Sequence, residues 1–342
     1  MVRRLGSDRL AIVRHVLLGI GVVLVAASLL MPLTSLEVSQ EWGLPLLTDK
    51  LWFRVATTMA MFVVLASAWN IIGGMAGYAA FGNVAFFGIG AYTAAFLMDH
   101  YRLPFALALL AAPAVSAIFA AAIGLPLLRL RGHYFAIATL SVSVAVAELV
   151  NNVEPLGGST GFFLPIVRSD LLFFYLMAGA ATLTVAVSWL VLRTRFGYGL
   201  LAIRENEEAA AVIGVNTTLY KVAAFALAAA LTGLAGGIFA QWNVFINSEN
   251  VFPVDYNIQM ILMAVLGGSG TVLGPVVGAV TLEALIQAFA AGGTLAAWSQ
   301  IGLGVLLAVT VIFVPRGVLD FFGGQSRLSL KYLRSSLRRT SV

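Results

Sequence analysis

The chain has 342 residues, of which 61% are hydrophobic and only 10% charged, against about 25% charged in an average soluble domain. That is too little polar surface for a water-soluble globule, and it points to a polytopic membrane protein. With no cysteine the chain has no disulfide, thiolate metal site or cysteine nucleophile. The net charge of +5 does not signal nucleic-acid binding, because the basic residues lie at the ends of apolar runs and not on one face.

Residues 1–15 form a basic segment with Arg3, Arg4, Arg9 and Arg14. The apolar run Val16–Leu33 that follows exceeds the roughly 7–15-residue core of a signal peptide and reads as an uncleaved first span. Further spans are predicted over 51–72, 84–98, 104–127, 133–150, 171–192, 221–245 and 297–314, mostly near the roughly 20 residues a bilayer requires. A glycine-rich turn with Gly73, Gly74, Gly77 and Gly82 separates the second span from the third. Between 258 and 291 two apolar pieces are divided by Gly267-Gly268-Ser269-Gly270. The first piece, 258–268, is too short to cross alone and predicts a half-span packed inside protein.

With the half-span counted, the predicted fold is all-α: a polytopic inner-membrane helical bundle of about ten crossings with one or two glycine-broken helices. Sixteen of the twenty Lys and Arg residues then fall on one side with both termini, and the positive-inside rule makes that side cytoplasmic. The expected organisation is a cytoplasmic N-terminal segment (1–15), a transmembrane domain (16–315) and a cytoplasmic basic tail (316–342). The tail suits orientation and attraction to membrane lipid headgroups.

The longest polar interruption between spans runs from Arg193 to Lys221. Inside it Asn206 is placed to cap a short helix. Glu207 and Glu208 would lie in its first turn, where the helix dipole favours acids. Ala209, Ala210 and Ala211 are strong helix formers, and Gly214 suits the left-handed position that ends a helix. About two turns of helix cannot stand alone and require something to dock against. On acids and alanines alone, the stretch is equally well a solvated loop.

Two glycine breaks, Gly73-Gly74 and Gly267-Gly268 with Gly270, each precede a helix of small residues. Such paired breaks mark a substrate path, although glycine and alanine are also common wherever membrane helices pack. Glu283 lies within an apolar run, and an ionisable group at membrane depth is a functional candidate. The structural alternative is a hydrogen bond to Gln287 one turn on. No P-loop is present, since no lysine follows Gly270. The histidines His15, His100 and His133 are too dispersed to suggest a metal site, and no nucleophile–base constellation is visible. An enzyme is therefore the least favoured class. A secondary transporter or channel driven by an ion gradient would place several charges at mid-membrane, where this chain has mainly Glu283.

Three stretches carry a family likeness. Glu208-Ala209-Ala210 with Gly214 resembles the EAA loop of ABC-importer permeases. The longer string from Gly199-Leu200 through Arg204-Glu205-Asn206-Glu207-Glu208-Ala209-Ala210 to Gly214 looks like the branched-chain amino acid permeases, the longer of their two permease subunits. Gly77-Tyr78 through Gly82, continuing Ala85-Phe86-Phe87-Gly88-Ile89-Gly90-Ala91-Tyr92, resembles the same family, as does Leu266-Gly267-Gly268-Ser269-Gly270 with Gly274-Pro275-Val276-Val277-Gly278-Ala279. The first of these signatures departs at Asn83, where the family pattern has histidine.

The likeness covers about residues 50–320. It implies a multi-pass permease subunit of the bacterial inner membrane with no cofactor of its own. ATP and Mg would bind two cytoplasmic ATP-binding subunits, a second related permease would complete a heterodimer, and a periplasmic binding protein would deliver substrate. The stretch holding Arg204, Glu205, Glu207, Glu208, Ala209, Ala210 and Gly214 would be the coupling helix. Asn83, Tyr92 and Glu283 are candidates for the substrate path. The cargo would be branched-chain or related amino acids, with urea or amides, aromatic acids or sugars as alternatives.

Overall fold

The computed structural model describes residues 50–167 and 169–291. The first and last predicted spans, both terminal segments and Arg168 lie outside the described residues, and with them the count of ten crossings and the side on which the termini sit.

The described chain is helical almost throughout. Helix α1 (Lys50–Asn70) runs into a π turn (Ile71–Met75) and is followed by α2 (Val84–His100), α3 (Phe105–Leu127), α4 (His133–Asn152) and α5 (Asp170–Arg193). Two short helices come next, α6 (Arg195–Glu205) and α7 (Glu207–Val212), then the long α8 (Thr217–Asn243). One turn, α9 (Ser248–Val251), leads to α10 (Val254–Gly267) and α11 (Gly274–Ala291). Among the described residues, five segments are long and apolar enough to cross a membrane: Phe53–Met75, α3, α4, α5 and α8. The predicted spans that fall within the described residues coincide with α1 to α5 and α8 to within a few residues, and the apolar piece predicted as a half-span is helical as α10.

The bundle is built around α8, which packs most extensively on α3 and α2. Small residues make this possible. A Cβ on Gly90 would run into the Gly233 carbonyl, and one on Gly236 into the Phe87 carbonyl. In a membrane, where apolar association has no hydrophobic drive, such backbone-to-backbone approach supplies the packing energy. Burial separates centre from rim: the apolar windows of α1 and α8 are 72% and 67% buried, those of α3 and α4 only 22%. The rim helices present Leu107, Leu110, Ile118, Ile137 and Val144 outward, the surface a lipid environment accepts.

At one end, strands β1 (Phe162–Phe163) and β2 (Phe245–Ile246) pair antiparallel, Phe162 opposite Ile246. They tie the loop before α5 to the exit of α8. At the other end, Arg131, Arg204 and Lys221 gather beside the 76–83 segment; this is called the basic end below. The two are about 40 Å apart along the 27 residues of α8.

Two expectations are corrected here. Gly73 and Gly74 do not break α1, because the chain stays helical through Met75 as a π turn and leaves the helix at Gly77 (φ +78). The cause is packing: side chains at 73 and 74 would strike the Trp69 ring and the Asn70 amide, so the widened turn is accommodated where no side chain stands. The stretch 193–221 also holds two helices and not one. The unforeseen α6 buries Leu200 and Ile203, and Lys221 belongs to the first turns of α8, whose N-cap Asn216 accepts from Leu219 N at 3.1 Å.

Candidate functional site

Helix α7 is defined at both ends by its own sequence. Asn206 Oδ1 accepts from Ala209 N at 3.0 Å. At the other end Gly214 adopts φ +91, Gly214 N donates to Ala211 O and Val215 N to Ala210 O, both at 3.0 Å. These two bonds satisfy carbonyls that a helix end otherwise leaves orphaned.

One acid of the first turn faces inward and the other outward. The Glu207 side chain is 17% exposed and that of Glu208 78%. Lys221 Nζ donates to Glu207 Oε1 at 2.6 Å, to the Tyr78 hydroxyl at 3.0 Å and to the Leu128 carbonyl at 2.9 Å. All three ammonium protons thus have acceptors. The Tyr78 hydroxyl donates to Glu207 Oε2 at 2.5 Å, and the Lys221 ammonium lies 4.8 Å from the Tyr78 ring centroid. Arg131 Nε stands 3.6 Å from Glu207 Oε2. Burial alone would push the Glu207 carboxyl up, but the bonds from Lys221 and Tyr78 and the charges of Lys221 and Arg131 outweigh it and hold it below the usual glutamate range. Burial, then the bond and charge of Glu207, push the Tyr78 phenol well above its ordinary value. Through one carboxylate, α7 is fastened to the 76–83 segment, the end of α3 and the start of α8. Outside, Arg131 Nη1 donates to Glu208 Oε1 at 3.0 Å in an exposed pair.

Upstream on the chain, in the last turn of α6, Arg204 makes a second link. Its Nη1 donates to the Gly74 carbonyl in the π turn at 2.6 Å. The Arg204 residue rests against three glycines. A Cβ at Gly270 would collide with Nη1, one at Gly77 would press on the Arg204 stem, and one at Gly74 would strike the Asn70 amide and Gly270 N. Asn70 closes the cluster: its Oδ1 accepts from Gly270 N at 2.7 Å and its Nδ2 donates to the Thr271 carbonyl at 2.8 Å. The two glycine segments, 200 residues apart, are therefore bonded to each other, and Arg204 lies over the join.

The other candidates are placed as follows. Gly267 ends α10, Gly268 (φ +123) and Gly270 (φ +82) form the turn, and Thr271 Oγ1 accepts from Gly274 N at 3.0 Å where α11 begins. Ala210 is buried, while Glu205 and Ala209 are exposed. Asn83 and Tyr92 are buried in the core, away from Arg204 along α2. Glu283 is buried on α11 and accepts from Gln287 Nε2 at 2.7 Å. The structure does not bring Asn83, Tyr92 and Glu283 into one hydrogen-bonded cluster. Reading the sequence missed Asn70, and it gave Tyr78 and Lys221 no role at the site. A polar residue in the last turn of an apolar helix and a lysine inside the first turns of another were the available signals. Among the described residues no group of three or more His, Cys, Asp or Glu could hold a metal ion.

Comparison with known proteins identifies a family. The family model described as branched-chain amino acid transport system / permease component matches residues 51–313. The high-affinity branched-chain amino acid transport system permease protein LivM of Salmonella typhimurium is 30% identical over 86% of this chain and 75% of its own length. The LivM protein of Escherichia coli is 30% identical over 83% and 73%. The autoinducer 2 import system permease protein LsrC of Salmonella paratyphi B is 28% identical over 39% of this chain and 40% of its own. No solved structure matches. With a match across more than half its length and relatives at this identity over most of it, the chain belongs to the permease component family of branched-chain amino acid transport systems.

Proposed function

We propose that this chain is the membrane-spanning half of an ATP-driven importer, that its cargo is a branched-chain or related amino acid, and that α7 is where the motor subunit pushes. The basic end faces the cytoplasm on the charge distribution. Two ATP-binding subunits carry ATP and Mg there, a second related permease completes the path, and a periplasmic binding protein supplies cargo at the β1–β2 end of an inner-membrane protein. The carrying observation is the two-sidedness of α7. Its inner side is locked to the bundle through Glu207, while Val212 and Ile213, at 87% and 75% exposed, stand bare at its far end. An apolar tip on a rigidly mounted stub suits an apolar groove on a partner. The link from Arg204 to both glycine segments gives movement of the stub a route into α1, α10 and α11. ATP binding shifts the equilibrium between inward- and outward-open forms to the extent that the closed motor prefers one position of α7.

The test is co-purification of the ATP-binding subunits with Val212→Asp and Ile213→Asp variants. Loss of the subunits with normal membrane insertion supports the reading, whereas intact complexes and normal uptake in both overturn it. The partial match to LsrC keeps a sugar-like cargo as a second reading, which uptake of labelled leucine against labelled ribose separates.

A further inference from the structure

Two asparagines deep in the bundle remain outside the coupling arrangement. Helix α2 does not start at the membrane surface. After the π turn the chain folds back along α1, held by Trp69 Nε1 donating to the Ala80 carbonyl at 2.7 Å and by Phe81 N donating to Thr139 Oγ1 at 3.0 Å. The first turn of α2 therefore lies inside the protein. There Val84 N donates to Asn257 Oδ1 of α10 at 3.0 Å. Asn257 stands ten residues before Gly267, the end of α10 beside the Arg204 cluster, hence about 15 Å above it at 1.5 Å per residue. That is about half of a hydrocarbon layer of about 30 Å.

At this depth Asn83 is 0% exposed and Asn257 1%. Neither Nδ2 nor Oδ1 of Asn83 has a hydrogen-bond partner, nor does Nδ2 of Asn257, and Asn83 does not cap its own helix. Buried polar atoms left unpaired in a dry interior are costly, and folding ordinarily eliminates them. Three at one helix start are unused bonding capacity. Their inventory is specific: two amide NH2 groups and one carbonyl oxygen, beside the positive end of a 17-residue helix. The one hydrogen bond the two amides make, from Val84 N to Asn257 Oδ1, involves no charged side chain. One helical turn along α2 from Asn83, Phe87 packs against Tyr256, the neighbour of Asn257, with ring centroids 6.0 Å apart. The amides thus lie beside an aromatic wall.

We infer that the start of α2 is a mid-membrane cargo site that takes the backbone end of a zwitterionic amino acid. The inference rests on the importer reading above and deepens it. The Asn83 and Asn257 NH2 groups donate to the carboxylate, which the helix dipole also favours. The ammonium donates to Asn83 Oδ1, and the apolar side chain lies toward Phe87 and Tyr256. In the conformation seen here Asn257 Oδ1 occupies the Val84 amide and the site is closed over itself. Separation of α10 from α2 would free that amide for the cargo.

Substituting leucine separates this role from a structural one. Asn83→Leu removes two unpaired atoms from the interior, so with a merely structural Asn83 it would leave the protein as stable or more stable and transport unchanged. The complete transporter, with both permeases, ATP-binding subunits and binding protein in proteoliposomes, is assayed for labelled leucine, isoleucine and valine. Asn83→Leu and Asn257→Leu are expected to assemble and hydrolyse ATP normally while import falls tenfold or more. Asn83→Asp, which puts a negative charge where the carboxylate binds, is expected to fall at least as far. Wild-type import in both leucine variants overturns the site and leaves the importer reading standing. An unmodified complex that imports none of the three amino acids overturns cargo and site together.

Discussion

The anchor around Glu207 and the buried start of α2 are both polar places in an apolar bundle, and they are built in opposite ways. At the anchor, Lys221 has an acceptor for each proton and Glu207 receives donors on both oxygens. At the start of α2, Asn83 has no partner on either amide atom. A saturated network holds a part in place, because any rearrangement leaves a buried charge uncompensated. An unsaturated one has bonds to offer. On the reading proposed above, with force transmitted at one level and solute passed at another, this division between a fixed mount and a site with capacity to spare is what each task requires.

The largest effect should come from breaking the saturated side. Lys221→Met leaves Glu207 facing Tyr78 and the Leu128 carbonyl without its ammonium. Removing one partner of a buried pair costs about 3–5 kcal/mol, and because Glu207 is partly exposed the expected loss is near about 3 kcal/mol. Thermal unfolding of the purified protein reads this, and protease cleavage within 206–216 shows whether α7 has come loose. Adding Glu207→Gln should return part of the loss, since the stranded charge is then gone. A double variant as unstable as the sum of the singles would mean the two side chains act separately.

Next in size is the join beneath Arg204. Its Nη1 bonds Gly74 and it packs against Gly270, which on the proposed reading makes it the route from α6 and α7 to both glycine segments. Arg204→Ala should leave assembly and ATP hydrolysis in place and lower uptake about tenfold, within the range of 0.5–2 kcal/mol seen for changes along coupling networks. Loss of hydrolysis and uptake in equal proportion would instead indicate a binding defect at the motor subunit.

pH tests the same mount more gently. The Glu207 carboxyl is held low in the folded protein. Its contribution to stability is therefore present above the ordinary glutamate pKa of about 4.3 and is lost as pH falls through the depressed folded value. The Tyr78 phenol is held high, so its contribution is present below the ordinary tyrosine pKa of about 10 and is lost only as pH rises through the folded value above it. Hydrogen exchange at 207–213 should stay protected across the interval between and rise at the acid edge first.

Local chemistry was legible in the sequence, and contacts between distant segments were not. Asn206 and Gly214 announce α7 because capping depends on residues a few positions apart. The spans were readable because each carries its own apolar length. Helix α6 was hidden by Gly197 and Gly199, poor helix formers that are there because side chains at those positions would strike the Val191 carbonyl and the Tyr220 ring. Gly73 and Gly74 looked like a break for the same reason, and the Trp69 and Asn70 side chains that require them become visible only once the helix is built. Tyr78 meets Glu207 across 129 residues and Asn70 meets Gly270 across 200. No periodicity encodes such pairs.

The smallest effect sharpens the comparison from the outside. Arg131 and Glu208 form an exposed ion pair at the basic end, at 3.0 Å with side chains 63% and 78% exposed, and distance alone would rank it beside the Lys221–Glu207 bond. Exposure decides otherwise: water screens both charges, and ordering two long side chains offsets the attraction. Arg131→Ala should therefore leave thermal unfolding unchanged, even though the guanidinium also stands 3.6 Å from Glu207, because Lys221 and Tyr78 already bond both oxygens of that carboxylate. Glu208→Ala should likewise unfold at the wild-type temperature. If Glu208→Ala also lowers uptake with stability unaltered, Glu208 acts on the partner that covers α7 and not on the bundle that carries it, which is where its outward-facing position on the first turn puts it.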